Sequence, residues 1–499
     1  MSHPLETASH PGPLQRVVIE PVTRVEGHGK VTLLLDEEGR VPQARVHIVE
    51  FRGFEKFVQG RPYWEVAAMV QRLCGICPVS HQLAAAKAID VIVGARRLTP
   101  AAEKLRRLAH WGQTQQSHAL HFFHLASPDL LFGMESARAA RNVVGLIEAH
   151  PDIAISGVRL RKYGQQVIEA LTGKRIHGMI VVPGGVNRAL PAADRERLRT
   201  ETDAIVALAE QGLVLAKRLF FADQATSESF ATYRSSHLSL IAPDGAFDNY
   251  DGGLRARDAD GAVIFDHVDY AHYDRHLREE VKSWSYMKFP FIVARGVEDG
   301  WYRVGPLARV NNADRFRTPL AEAARADFMA YGGGRPVQPT LAYHWARMIE
   351  LLAATEAIRE LLDDPDLLGT DLVTRGERVS EGVGVIEAPR GTLFHHYRVA
   401  DDDTITRANL IVSTTSNNTA MNNAIREVAA RDFPGRALSE GLLNRIEVAI
   451  RAFDPCLSCA THALGQMPLA VEVIDAGGRA IDRLVLHGDG GCEAPDRQP

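Results

Sequence analysis

The sequence predicts a mainly α fold with peripheral antiparallel β elements, an α+β chain with a central helical core and small sheets toward its N- and C-terminal ends. Three observations predict it. Apolar residues recur at three- and four-residue steps through most of the middle of the chain, as in Val66, Val70 and Leu73, then Leu83, Ala84 and Ile89. Short β-like runs bounded by Gly/Asp turns are confined to the start, to one insertion and to the region after Gly382. Two C-x-x-C pairs, Cys74/Cys77 and Cys456/Cys459, lie near opposite ends, and a shared site would bring both ends to one core.

In chain order, residues 1–15 are rich in Pro, His, Ser and Thr and read as a mobile arm. Arg16–Glu20 is β-like, and His28–Leu35 and Val41–Glu50 flank a turn at Asp36-Glu37-Glu38-Gly39, a small antiparallel sheet. Helical patterns begin at Tyr63. Pro100 can open a helix carrying His118, His121 and His124. They continue through Ala139–His150, Ile155–Leu171 and Ala192–Leu219. Turns at Asp244-Gly245 and Asp260-Gly261 mark a β insertion at about 236–268. Helices resume at Leu320–Tyr331 and Leu341–Leu362, and Gly382–Val412 reads as two or three strands with a turn at Asp401-Asp402-Asp403. Helices at about Asn417–Ala430 and Ser439–Ala452 lead to the second Cys pair, and Leu469–Ile474 with Ile481–Leu486 can form a hairpin about Ala476-Gly477-Gly478. With no repeat, low-complexity block or linker, residues 16–462 read as a single domain.

Composition excludes several functions. The 499 residues carry 57 Lys+Arg against 62 Asp+Glu, a net of −5, so no basic excess exists to neutralise nucleic acid. The 45% hydrophobic and 24% charged content is that of a globular protein. No apolar run approaches the length of a membrane span, and the N-terminus has no signal-peptide core, which points to the cytoplasm.

The five cysteines are Cys74, Cys77, Cys456, Cys459 and Cys492, too few for a disulfide scaffold. Each C-x-x-C pair precedes a histidine, His81 or His462, by three or four residues. Four thiolates suit soft metals such as Zn, Ni, Fe or an iron–sulfur cluster. The 378 residues between Cys77 and Cys456 far exceed the spacing within a small zinc module. Spacing therefore favours metal catalysis, while structural zinc and a redox dithiol stay open.

Five elements carry a family resemblance. Arg24-Val25-Glu26-Gly27-His28-Gly29, Phe51-Arg52-Gly53-Phe54-Glu55, Arg72-Leu73-Cys74-Gly75-Ile76-Cys77 with His81, Glu387-Ala388-Pro389-Arg390-Gly391, and Asp454-Pro455-Cys456-Leu457-Ser458-Cys459 with His462 resemble, in order, the large subunit of nickel–iron hydrogenases. Phe51–Gly60, Trp284-Ser285-Tyr286-Met287-Lys288-Phe289-Pro290 and Ala460–Leu469 are most similar to the cytoplasmic NAD-reducing (bidirectional) subgroup.

The resemblance implies the large-subunit fold and a nickel–iron centre that splits or forms H2 heterolytically. Cys74 and Cys456 would bind nickel terminally. Cys77 and Cys459 would bridge to an iron carrying CO and cyanide. Glu26 would take the proton from Cys456, a role suited to a carboxylate whose pKa burial can raise. Arg390, always charged, would overhang the open site, with Pro389 shaping the same wall and Asp454 ordering the arginine. His81 would hydrogen-bond a bridging thiolate. Glu55 and His462, with a strand carbonyl near Leu410, resemble a magnesium site. Ser117 stands where other subgroups place an Asp near the metals, whereas His118, His121 and His124 fit a helix face and are assigned no metal. Taken singly, Glu26 is a turn residue, Arg390 a strand-end ion-pair partner, Asp454 an Asx turn before Pro455 and His81 a helix cap; only the motifs say more.

Relatives with a C-terminal extension are cut after the last motif's His once nickel is inserted. That maps to His462–Ala463 and makes 463–499 a propeptide, against the alternative that it is a β-hairpin of the mature chain. No G-x-G-x-x-G or flavin fingerprint occurs, and no spare cysteines remain for an iron–sulfur chain. The implied partners are therefore an iron–sulfur small subunit, diaphorase subunits carrying FMN, NAD and further iron–sulfur clusters, a maturation endopeptidase and nickel-insertion proteins. Alternatives within the resemblance are a cytoplasmic enzyme with another acceptor (F420 or heterodisulfide-reductase type) and an H2-sensing regulatory hydrogenase.

Overall fold

Alternation of apolar residues closes the first sheet. Strands β1 (Gln15–Ile19), β2 (Gly29–Leu35) and β3 (Gln43–Ile48) pair antiparallel in that order. Val31 opposes Val46 and Leu33 opposes Ala44, so one face of the sheet buries all four in the core. This computed structural model describes residues 15–36, 40–41, 43–434, 439–462, 469–474, 480–486 and 492–493. The expected arm, the middle of the 36–39 turn, Ala463 and the Ala476-Gly477-Gly478 turn lie outside the described residues.

The helical core comes next. Helix α1 (Pro78–Ile92) starts on a proline whose missing N–H falls where no helical partner exists, and nearly every side chain on it is buried. Such a helix needs small residues, and Ala84, Ala85, Ala86 and Ala88 supply them. It lies directly on the strand Glu381–Ala388. A Cβ on Gly384 of that strand would meet the Ala84 carbonyl at 2.2 Å, so only glycine permits this approach. Helix α2 (Pro100–Leu120) is capped by the Thr99 hydroxyl, which accepts from Ala102 N at 3.2 Å. It packs on α3 (Pro151–Thr172) and α5 (Ala342–Asp363), and α5 packs on α4 (Ala192–Ala222).

Two details depart from the periodicity. After α2 the chain widens into a π-helical turn, His121–Ala126, before Ser127–Phe132. Pro128 explains it: its ring would clash with the carbonyl four residues earlier, and a wider turn avoids that contact. The helical stretch expected over Ala139–His150 is a helix only over Val143–Ala149, because the Asn142 side chain accepts from Val144 N and Gly145 N and fixes the start there.

The 236–268 region forms β4 (Ser236–Ile241), β5 (Gly253–Arg257) and β6 (Val263–Val268), antiparallel in sequence. A fourth strand, β7 (Tyr302–Arg303), adds parallel to β4 and is too short to leave a pattern in the sequence. Strands β8 (Glu381–Ala388), β9 (Gly391–Val399) and β10 (Ile405–Ile411) form the third sheet. Its two faces serve different cores: Leu393, Tyr397 and Val399 of β9 face the main helical core, while Phe394 joins a smaller core shared with the second sheet. Helices α6 (Asn418–Asp432) and α7 (Glu440–Ala452) then lead to the second Cys pair. Beyond it, Leu469–Ile474 and Ala480–Leu486 pair antiparallel, as the hairpin pattern predicts. The main core runs from Val17 to Ala460, so residues from both ends of the sequence share it.

Candidate metal centre

Two short segments deliver the cysteines. Cys74 sits in extended backbone just after a 3-10 turn, and Cys77 caps the N-terminus of α1. The N–H groups of Ile76 and Cys77 both point at Cys74 Sγ, at 3.2 and 3.3 Å, a cradle that favours a thiolate. Cys456 forms a β-bridge with Glu26, and its N–H donates to Thr414 Oγ1 at 2.9 Å. Cys459 lies in the 3-10 turn Ser458–Ala460.

The four sulfurs lie within 4.8 Å of one another, all buried. Cys456 Sγ is 3.2 Å from Cys74 Sγ and 2.7 Å from Cys459 Sγ, and Cys77 Sγ is 3.9 Å from Cys459 Sγ. None is disulfide-bonded. Burial drives the Cys456 and Cys459 thiols well above the usual range, while hydrogen bonds from those two draw Cys77 down to about 6. Burial pushes against ionisation of Cys74 as well, but hydrogen bonds from the neighbouring thiols outweigh it and hold Cys74 well below the usual range. Four crowded thiols that share protons so unevenly fit a soft metal centre, which would take the place of the protons and hold all four as thiolates. A small cavity beside the sulfurs is walled by His81, Pro389, Arg390 and Thr414 among others.

Glu26 reaches the cluster from the other end of the chain. Its Oε2 accepts from Cys456 Sγ at 2.9 Å and from Ser458 N at 3.2 Å, and its carbonyl accepts from Leu457 N at 2.9 Å. Gly27 makes the approach feasible, because its φ is +83° and a Cβ there would meet Ser458 N at 2.7 Å. Arg390 donates through Nε to the Asp454 carbonyl at 2.7 Å, through Nη2 to Asp454 Oδ1 at 3.0 Å and through Nη1 toward Ser117 Oγ at 3.4 Å. Burial opposes the guanidinium charge, but Asp454 and the cysteines more than offset it. Pro389 presents its carbonyl to Arg309 Nη2 at 3.0 Å. His81 lines the cavity and turns Nδ1 toward His395 Nε2 at 3.2 Å.

These distances coincide with a family-wide match. A family described as Nickel-dependent hydrogenase matches residues 52–145 and 155–462, and one described as HoxL-like matches 16–51. The chain belongs to the nickel-dependent hydrogenase family. It is 49% identical over 94% of its length to the NAD-reducing hydrogenase HoxS subunit beta of Cupriavidus necator, covering 99% of that protein. It is 42% identical to an F420-non-reducing hydrogenase subunit of Methanothermobacter thermautotrophicus, over 94% of this chain and 100% of that one. A solved NAD+-reducing nickel–iron hydrogenase in the H2-reduced state superposes with a TM-score of 0.88 at 54% identity, over 90% of this chain and 99% of that one. The nickel–iron–selenium hydrogenase of D. vulgaris Hildenborough shares the fold at a TM-score of 0.72 and 23% identity, over 90% of this chain and 100% of that one.

Glu55 and His462 belong to a second buried polar cluster, gathered about Lys288. Glu55 accepts from Lys288 Nζ at 2.9 and 3.2 Å and from Leu410 N at 2.8 Å, and Lys288 also reaches Glu279 and Asn409. His462 is buried with neither ring nitrogen partnered among the described residues, as is Glu279 Oε1. Burial, reinforced by Lys288, lowers His462 to about 3, so its ring is neutral. A neutral imidazole and buried carboxylate oxygens are donors a hard cation can use. His118 and His121 bond within the protein, to Glu350 Oε2 at 3.0 Å and to the Arg451 carbonyl at 2.7 Å. Sequence reasoning missed Thr414, Lys288, Glu279, Arg309, His395 and Tyr397. The Lys288 motif and the His395-His396-Tyr397 run were visible signals; the others carry none.

Proposed function

We propose that this chain is the catalytic component of a cytoplasmic hydrogenase that cleaves or forms H2 and exchanges the electrons reversibly with NAD+ through partner subunits. The observation that carries the proposal is the convergence of four buried thiols and the Glu26 carboxylate at one point. Cys74, Cys77, Cys456 and Cys459 would hold a nickel–iron centre with CO and cyanide on the iron, which would supply the heterolytic cleavage of H2. The protein's residues then handle the proton. Cys456 Sγ holds it 2.9 Å from Glu26 Oε2, a single hydrogen-bond step. Arg390, anchored twice on Asp454, holds a fixed positive charge over the cavity, and Pro389 closes that wall.

NAD+ as acceptor is supported by the 49% identity to an NAD-reducing subunit. Electrons need FMN-containing diaphorase subunits and an iron–sulfur small subunit, because this chain offers neither clusters nor a dinucleotide fingerprint. Among the described residues, no helix is long and apolar enough to cross a membrane. The second polar cluster is assigned to Mg2+, with Glu55 and His462 as ligands. Residues 463–499 are assigned to a propeptide removed by an endopeptidase after nickel-insertion proteins load the site; the family match ends at His462.

The 42% identity to an F420-non-reducing hydrogenase favours one second reading, a different acceptor module on the same H2 site. Purification of the native complex tests both. One nickel per chain with iron in excess of it from the partner clusters, infrared CO and cyanide bands, H2-dependent NAD+ reduction and an intact mass of this chain ending at His462 are expected. A metal-loaded complex that exchanges H/D yet reduces no NAD+ would favour the second reading. Zinc in place of nickel would overturn both.

A further inference from the structure

Behind His81 the structure holds a buried line of three polar rings. His81 Nδ1 lies 3.2 Å from His395 Nε2, and His395 Nδ1 lies 2.6 Å from the Tyr397 hydroxyl. All three are essentially inaccessible to water, at 1%, 0% and 0% exposure. The alternation of β9 explains the pairing, since residues 395 and 397 project from the same face, toward α1, where His81 sits one turn inside the helix.

The tyrosine fixes the direction of the protons. A phenol brings its own proton, and the one hydrogen-bond partner of the Tyr397 hydroxyl among the described residues is His395 Nδ1. Were His395 to donate instead, a buried phenol proton would have no acceptor. Burial keeps Tyr397 protonated, and burial together with the neighbouring His81 and His462 keeps His395 neutral. Tyr397 therefore donates to His395 Nδ1, and His395 carries its proton on Nε2 and donates to His81 Nδ1. His81 must then carry its own proton on Nε2, the nitrogen left for the cavity that Cys77 and Cys459 line.

We infer that Tyr397 and His395 are positioning residues that lock His81 as a donor toward the bridging thiolates. The inference rests on the metal-centre reading above. A hydrogen bond onto a thiolate withdraws electron density from the metals it binds, so loss of the lock changes the metals' electronic state and not only their retention.

The test uses the metal-loaded complex and three variants, Tyr397→Phe, His395→Leu and His395→Gln. Glutamine keeps the polarity, because its carbonyl accepts from Tyr397 while its amide donates to His81. Expected are infrared CO and cyanide bands moved to lower wavenumber in Tyr397→Phe and His395→Leu, at unchanged nickel content, with activity down about 10-fold or more. His395→Gln is expected to keep bands near wild type. Coincident bands in Tyr397→Phe, His395→Leu and the wild type would overturn the lock while leaving the metal centre intact. A wild-type complex without diatomic bands would overturn the metal-centre reading and the lock with it.

Discussion

Cys456 Sγ and Glu26 Oε2, the two atoms of the proposed proton path, lie 2.9 Å apart. Glu26→Gln keeps the size and the contact with Ser458 N but cannot accept and release a proton. Nickel and iron content should stay at wild-type levels while H2 oxidation and H/D exchange fall by about 10²-fold or more. Wild-type exchange in that variant would remove Glu26 from the path. Arg390→Lys keeps the charge but cannot span both the Asp454 carbonyl and its carboxylate. A fall in turnover of about 10²-fold with unaltered metal content is expected, measured by H2-dependent dye reduction. The four cysteines, Glu26 and Arg390 were legible because each sits in a motif of fixed spacing. Thr414 was not, since its partner Cys456 N lies 42 positions away and a lone threonine signals nothing. The same holds for Arg309, whose hydrogen bonds to the carbonyls of Ala388 and Pro389 emerge only once its own helix, Pro306–Asn312, is packed beside the end of β8.

At the level of elements, the approach of the N-terminal loop to the Cys456 segment depends on a missing side chain. Gly27→Ala would place a methyl group 2.7 Å from Ser458 N at a backbone φ of +83°. The strain is of order 1–3 kcal/mol, and its relief would draw Glu26 away from Cys456. A lower thermal midpoint and weaker nickel retention are expected. Gly75→Ala, where a Cβ meets nothing within 4 Å, serves as the matched control and should behave as wild type. Long helices and the three β8–β10 strands were readable from periodicity and turn residues. The π-turn at His121–Ala126 was not, although its cause, Pro128, was in view; a periodicity of 3.6 has no place for a five-residue step.

At the level of the whole molecule, the core carries imidazoles that must stay neutral. Burial holds His110 and His118 down to about 4, against an ordinary value near 6.5. Below pH 6.5 the unfolded chain takes up protons at these rings while the folded chain does not. Their contribution is thus fully present above pH 6.5 and is lost as pH falls toward 4, on the order of 3 kcal/mol apiece. Urea midpoints should be level from pH 7 to 8 and fall steadily from pH 6.5 to 4.5; a flat profile across that window would contradict this. The spacing of the Cys pairs had announced that both ends of the chain meet, but not how. The structure answers with a β-bridge, Glu26 to Cys456, linking positions 430 apart in sequence. That bridge sets a schedule for biosynthesis. A growing polypeptide that has not yet reached Cys456 has two thiols where four are needed and a carboxylate with nothing to receive from. The four-thiol cluster can assemble only on a chain translated through Cys459, so the fold itself denies shorter, incomplete chains a complete set of ligands.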